Sequence, residues 1–149
     1  MANDLHDALL AVTAGIEAAL ADSTIDVDDH PGRFSDEELK RVVRKRRAVR
    51  VAIEKLPQMS VTGPGKVRVS LLFSAVVVCA DTPGASRHHS ALTITQAIVE
   101  ALPHQRWNTD YLGPVLPQSI RADNLYSGAI DNQGVAMWGV SWQQTFTNQ

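Results

Sequence analysis

At 149 residues the chain has room for one ordinary domain and not for two. With 44% hydrophobic and 20% charged residues it has enough apolar surface to fold, which excludes a disordered tail, and a formal charge of -2 gives no whole-molecule attraction to nucleic acid or an anionic membrane. Cys79, the single cysteine, excludes an intramolecular disulfide and a multi-cysteine metal site, so a reducing compartment is the simplest match. The opening Met1-Ala-Asn-Asp-Leu5 carries no basic n-region. No apolar run nears the ~20 residues of a membrane span, so the expectation is synthesis in the cytosol and no membrane partner.

Across residues 4–22, Leu5, Leu9, Val12, Ile16 and Leu20 recur at steps of four, three, four and four, which stacks them on one helix face. Alanines at 8, 11, 14, 18 and 19 add helix propensity and permit close packing against a sheet or a neighbouring subunit. Residues 24–34 hold one short alternating piece before a Pro-Gly turn, at most an edge strand. Ser35-Asp-Glu-Glu38 has the form of a capping box, the Ser35 hydroxyl accepting from the Glu38 amide and the Glu38 side chain returning to the Ser35 amide. It opens a short helix with Leu39, Val42 and Val43 as its apolar face. Residues 48–54 then alternate with period two, placing Val49, Val51 and Ile53 on one side of a strand.

The Pro-Gly content of residues 58–65 predicts a loop. Residues 66–80 form the longest strand-like run, alternating at Val67, Val69 and Leu71 and then continuous through Cys79, the pattern of a central strand covered on both faces. After a break at residues 81–86, Leu92, Ile94, Ala97, Ile98, Ala101 and Leu102 mark a third helix, stopped by Pro103. Residues 108–117 read as a loop. Two strands close the chain, near residues 118–127 and 134–146, with residues 130–134 as their hairpin connection. Ala136, Trp138, Val140 and Trp142 share one face of the last strand. The expected fold is α+β, a mainly antiparallel sheet of about four to five strands with helices packed on one face.

Residues 34–43, Phe-Ser-Asp-Glu-Glu-Leu-Lys-Arg-Val-Val, followed by Arg47-Ala-Val-Arg-Val-Ala-Ile53, resemble the first half of a family of Mu-like phage and prophage tail proteins. The second half agrees, with a long Arg/Val/Phe strand, a helix, Leu125-Tyr-Ser-Gly128, Asp131-Asn-Gln-Gly-Val-Ala136 and an ending Gln144-Thr-Phe146. The matched segments span residues 5–146, and their order and spacing carry the resemblance. It implies a tail terminator of a contractile tail, a virion protein assembled in the host cytoplasm. Such a protein caps the head-proximal end of the tail tube as a hexameric ring, ends tube and sheath polymerisation, and presents a surface to the neck. The implied partners are further copies of the chain, the tube and sheath proteins, the neck or head-completion proteins, and DNA passing through the channel. A head-completion or neck adaptor is the alternative, and a small basic-patch DNA-binding protein a third. The family often has a longer Gly/Arg-rich segment after the long strand, where this chain has only residues 81–89, so a role for that segment is not carried over.

Lys40, Arg41, Arg44, Lys45, Arg46, Arg47 and Arg50 gather seven of the fourteen Lys and Arg residues into eleven positions. They read as a contact with an acidic tube or neck surface, as phosphate contacts with channel DNA, or as a solvated helix end balanced by Asp36, Glu37 and Glu38. On a helix, Arg44 and Arg47 share a face that Arg46 does not. Trp138 and Trp142 read as core. Trp107, placed in a loop, and Tyr126 are the candidate interface anchors, with Asp131 and Asn132 of the following turn beside them.

Enzymatic constellations are not found. His88-His89 lacks a partner at the i+4 spacing of a zinc site. Asp26, Asp28, Asp29 and His30 lack the glycine and terminal glutamate of a calcium loop and read as a solvated turn. Ser70, Ser74 and Ser90 lie in no nucleophile turn, and there is neither a phosphate loop nor a dinucleotide fingerprint. Cys79, inside an apolar run, reads as a packed thiol. The expectation is a binding protein without cofactor, metal or catalytic residues.

Overall fold

The structure is a computed structural model that describes residues 3–32 and 35–148. Its frame is a five-stranded sheet. β1 (Asp26–Asp29) runs parallel to β2 (Arg47–Gly63); beyond β2 lie β3 (Lys66–Ala80), β5 (Val135–Thr147) and β4 (Arg121–Asn124), each antiparallel to its neighbour. β3 takes the middle of the sheet, as its continuous apolar run predicts. Four helices accompany the strands: α1 (Leu5–Leu20), α2 (Asp36–Val43), α3 (Arg87–Ala101) and α4 (Gly128–Asn132).

Strand alternation sorts two apolar clusters to opposite faces of the sheet. Val69, Leu71, Phe73, Ala75, Val77 and Cys79 of β3 join Val49 and Val51 of β2 and Ala136, Val140 and Trp142 of β5 under α1 and α3, which contribute Ala8, Val12, Ile16, Ile94 and Ile98. Phe73 stacks on Trp142 with ring centroids 5.7 Å apart. The opposite face is apolar at one end, where Ala48, Val78, Val135 and Met137 meet Leu39 and Val42 of α2, with Ile130 of α4 at the margin. The two long helices therefore share one face as expected, whereas the two short ones cover part of the other. Leu92, assigned to the packed face of the third helix, points outward at 51% exposure; Ala91 and Thr95 take the buried positions instead.

Local chemistry sets the helix ends. α1 has a reciprocal capping box, Asp7 N donating to Asp4 Oδ1 at 2.8 Å and Asp4 N to Asp7 Oδ2 at 3.0 Å. At α2, Glu38 N donates to Ser35 Oγ at 3.1 Å, but the Glu38 carboxylate turns to His30 rather than back to the Ser35 amide, so only half of the expected box forms. Ser86 caps α3, and the chain leaves that helix just before Pro103.

Two expectations are corrected. Residues 58–65 are not a loop, because β2 continues to Gly63 with Gln58 opposite Ser70 and Val61 opposite Val67. Pro57, which has no N–H for a ladder, falls in the register shift between the Lys55 and Gln58 pairs, and the turn shrinks to Pro64 and Gly65, the latter at φ 70°. β4 and β5 do pair antiparallel, but residues 130–134 are no simple hairpin turn. Ser127 caps a helical turn there, accepting from Ile130 N at 3.1 Å.

Candidate interaction surface

The basic stretch divides into two groups. Lys40 and Arg41 on α2 and Arg44, Lys45 and Arg46 in the following turn are exposed and lie at one corner of the molecule. Arg46 holds a left-handed φ of 66° and its carbonyl accepts from Ala80 N at 2.7 Å, so this turn is tied to the end of β3. Arg47 and Arg50 belong to β2 instead. Arg50 Nη2 lies 2.5 Å from Asp26 Oδ2, and its Nη1 donates to Asp26 O at 2.8 Å and Val49 O at 3.2 Å. The parallel register that sets Arg50 beside Asp28 puts Asp26, two residues back, on the same face. Arg47 Nη1 is 4.0 Å from Asp22 Oδ2 and 3.5 Å from Thr24 Oγ1. These two cations stitch β2 to the preceding chain, so the surface reading applies to the other five.

Asp26, Asp28 and Asp29 are not in a solvated turn; they form β1. His30 follows it with its ring buried. Its Nδ1 accepts from Gly32 N at 2.9 Å, which leaves the proton on Nε2, 2.8 Å from Glu38 Oε2. The bond fastens α2 to the end of the edge strand and so fixes the direction in which the five exposed cations project.

Trp107 is in a loop, as expected, but its side chain is no surface anchor. With φ at 56° the backbone turns the indole inward to 7% exposure, and Nε1 donates to Gln144 Oε1 at 2.8 Å. Tyr126 is 63% exposed, and Asn132 is exposed at the end of α4. Asp131 is held by Arg87 of α3, Nη2 to Oδ1 at 2.7 Å, which docks α4 against the body. Gln144 is a residue sequence reasoning passed over. A polar side chain on the last strand gave no sign that it is 1% exposed and ties three segments together.

Two further surfaces emerge. A groove of about 920 Å³ runs between α1 and β1, lined by Ala14, Ala18, Ala21, Glu17, Asp22 and Asp26, with Lys45 at its rim. Hydrogen bonds from the Thr24 hydroxyl and amide, with a smaller contribution from Arg47, hold the Asp22 carboxyl below its ordinary value. At the other end of the sheet the β2–β3 hairpin extends as an arm on which Met59 is 69% and Val61 72% exposed.

Among the described residues no group of three or more His, Cys, Asp or Glu side chains could hold a metal ion, and no helix is long and apolar enough to cross a membrane. His88 and His89 are exposed in the first turn of α3. Cys79 is buried, and desolvation pushes its thiol up to about 11. The chain matches no family model and no curated protein sequence.

Proposed function

We propose that the chain is a structural subunit of a phage tail, a tail terminator of the Mu-like kind. It assembles into a ring, hexameric in the similar proteins, that caps the head-proximal end of the tail tube. The observation that carries this reading is the ordered series of segments by which the sequence resembles that family, and the fold gives the series physical sense. Residues 35–43 and 47–53 become α2 and the start of β2, and residues 125–136 and 144–146 become α4 with its flanks and β5. The action is binding. One ring face complements the last ring of the tube and blocks further addition, and the other receives the neck. Lys40, Arg41, Arg44, Lys45 and Arg46, exposed at one corner, are the residues assigned to an acidic protein partner.

Cryo-electron microscopy of assembled tails tests the assignment. Density for the chain at the head-proximal end supports it, and a chain absent from that end overturns it. A chain found on isolated heads in a tailless background is the head-completion or neck adaptor instead. The same five cations favour a second reading, contact with DNA phosphates. It requires a salt-dependent mobility shift of DNA that Arg44→Ser, Lys45→Ser and Arg46→Ser together remove, and no binding at low salt dismisses it.

A further inference from the structure

Arg47 opens β2 and pairs with Cys79 near the end of β3, and cross-strand partners share a face. That face is the one covered by α1 and α3. There the end of α1, the connection to β1 and the N-terminal part of α3 surround a cavity of about 310 Å³. Leu20, Ile25, Ile94 and Ala97 give it apolar walls, and Arg47 and Ser90 line it as well. The exposed Gly84 and His89 stand at its rim.

Arg47 and Ser90 each hold a buried polar atom, Nε and Oγ, that has no hydrogen-bond partner among the described residues. Such atoms are costly and rare in a folded interior. Four occur among the described residues, and two of them belong to this one cavity. Ser90 is only 4% exposed, so bulk water does not serve its hydroxyl. The neighbouring hydroxyl on the same helix is spent, because Thr93 Oγ1 donates to His89 O at 3.0 Å. Asp22 does not serve the Arg47 Nε–H either. Its carboxylate lies 4.0 Å from Arg47 Nη1 and accepts from the Thr24 hydroxyl at 2.6 Å and the Thr24 amide at 2.9 Å.

An Nε–H can only donate, whereas a hydroxyl donates or accepts, so one acceptor oxygen set between them satisfies both. Water could supply that oxygen but would find no partners along the aliphatic walls. A guanidinium donor favours an anionic oxygen, as does the positive end of α3. Asp22 already places one negative charge beside the guanidinium, which weighs against a doubly charged phosphate and for a single charge. A planar carboxylate also matches the planar fork of an arginine.

We propose that this cavity binds a small monocarboxylate. Its carboxylate takes the Arg47 Nε–H and the Ser90 hydroxyl, and its short aliphatic tail lies on Leu20, Ile25, Ile94 and Ala97. The volume is at the small end of ligand pockets, which run from about 300 to 1,000 Å³, and so limits the length of the tail. The proposal does not rest on the tail-terminator reading.

A proton–nitrogen correlation titration of the full chain with sodium hexanoate tests it, because the Arg47 Nε–H gives its own signal. That signal and the amides of residues 84–97 are expected to shift together and to saturate. Arg47→Lys keeps the charge beside Asp22 but removes the Nε–H, and should bind hexanoate at least roughly tenfold more weakly. Ser90→Ala should weaken it roughly fivefold. Ala97→Phe, at a half-buried position, fills the cavity and should abolish binding with Arg47 and Ser90 both in place. Spectra that match the parent's away from the cavity verify that each variant folds, and the two others carry the test where one does not. Hexanol and inorganic phosphate should each bind at least roughly tenfold more weakly than hexanoate. The proposal is overturned by hexanoate that leaves the Arg47 signal in place, or by a folded variant that binds it as the parent does. Hexanol binding equally well would make the cavity merely apolar, and phosphate binding equally well would make it a simple anion site; either result overturns the proposal.

Discussion

Trp107 and Trp142 donate their indole N–H groups to the same atom, Gln144 Oε1, at 2.8 and 3.0 Å. The Gln144 amide nitrogen spends both hydrogens as well, on Gln105 O at 3.1 Å and Gly113 O at 2.7 Å. Every polar capacity of a side chain only 1% exposed is therefore used, and β5 is tied to the loop that follows α3.

Replacing that amide leaves two buried indole donors and the Gly113 carbonyl without partners, while Gln105 O keeps its bond from Val115 N at 2.9 Å. Gln144→Leu keeps most of the volume and is expected to lower the unfolding free energy by about 3 kcal/mol, since each orphaned buried group costs roughly 1–3 kcal/mol. Urea denaturation measures it as a lower midpoint at unchanged slope. A loss below about 1 kcal/mol would mean that water reaches the site and replaces the amide.

Gly15 makes room for the same tryptophan. A Cβ built at Gly15 would stand 2.2 Å from Trp107 Cε3, inside any possible contact. Alanine at an exposed helix position normally gains about 1 kcal/mol over glycine. Here Gly15→Ala is expected to reverse that sign and destabilise by roughly 1–3 kcal/mol, the usual range for overpacking. Tryptophan fluorescence should shift to the red as Trp107 is displaced. A stabilised variant with unchanged emission would show that the indole moves aside without cost.

What was legible in the sequence was whatever one element states by itself. The 3.6-residue stripe of α1, the alternation of β2 and the unbroken apolar run of β3 each depend on neighbours a few positions away, and β3 occupies the predicted residues 66–80. What was not legible depends on partners far along the chain. Trp107 looked like a free loop aromatic because its acceptor lies at position 144 and the space for its ring at position 15. Arg50 looked like one more cation of a surface cluster because the parallel register that delivers Asp26 to it is a property of two strands. The Pro-Gly content of residues 58–65 predicted a loop, since composition does not reveal that the ladder continues to Gly63 and confines the turn to Pro64 and Gly65.

The division of the basic stretch is directly testable. Arg50→Ala removes a guanidinium with an 11% exposed side chain that reaches both the Asp26 carboxylate and two backbone carbonyls. It should cost about 2 kcal/mol, in the range of hydrogen bonds to charged groups. Arg44→Ser, by contrast, changes a solvated side chain and should stay within about 0.5 kcal/mol of the parent. Thermal unfolding of the two variants side by side decides it. Equal losses would mean that the stretch acts as a single electrostatic unit and that the assignment of two structural and five surface cations is wrong.

Cys79 gives the fold a dependence on alkaline pH. The thiol lies on β3 among Val77, Ala75 and Ala136, fully out of solvent, and desolvation raises it from 9.0 to about 11, with Arg47 opposing in part. The folded value exceeds the unfolded one, so the contribution is complete below pH 9.0 and is lost as pH rises toward about 11, where the unfolded chain gains a thiolate that the folded chain resists. A two-unit difference corresponds to on the order of 2–3 kcal/mol at the alkaline limit. The parent should therefore lose more stability than Cys79→Ala between about pH 8.5, roughly half a unit below the ordinary thiol value of 9.0, and about pH 10.5, roughly half a unit below the folded value of about 11. Maleimide labelling at neutral pH should be negligible until denaturant unfolds the chain. Rapid labelling of the native protein, or parallel pH profiles for parent and variant, would show that the thiol is reached by solvent and that this part of the sheet opens locally.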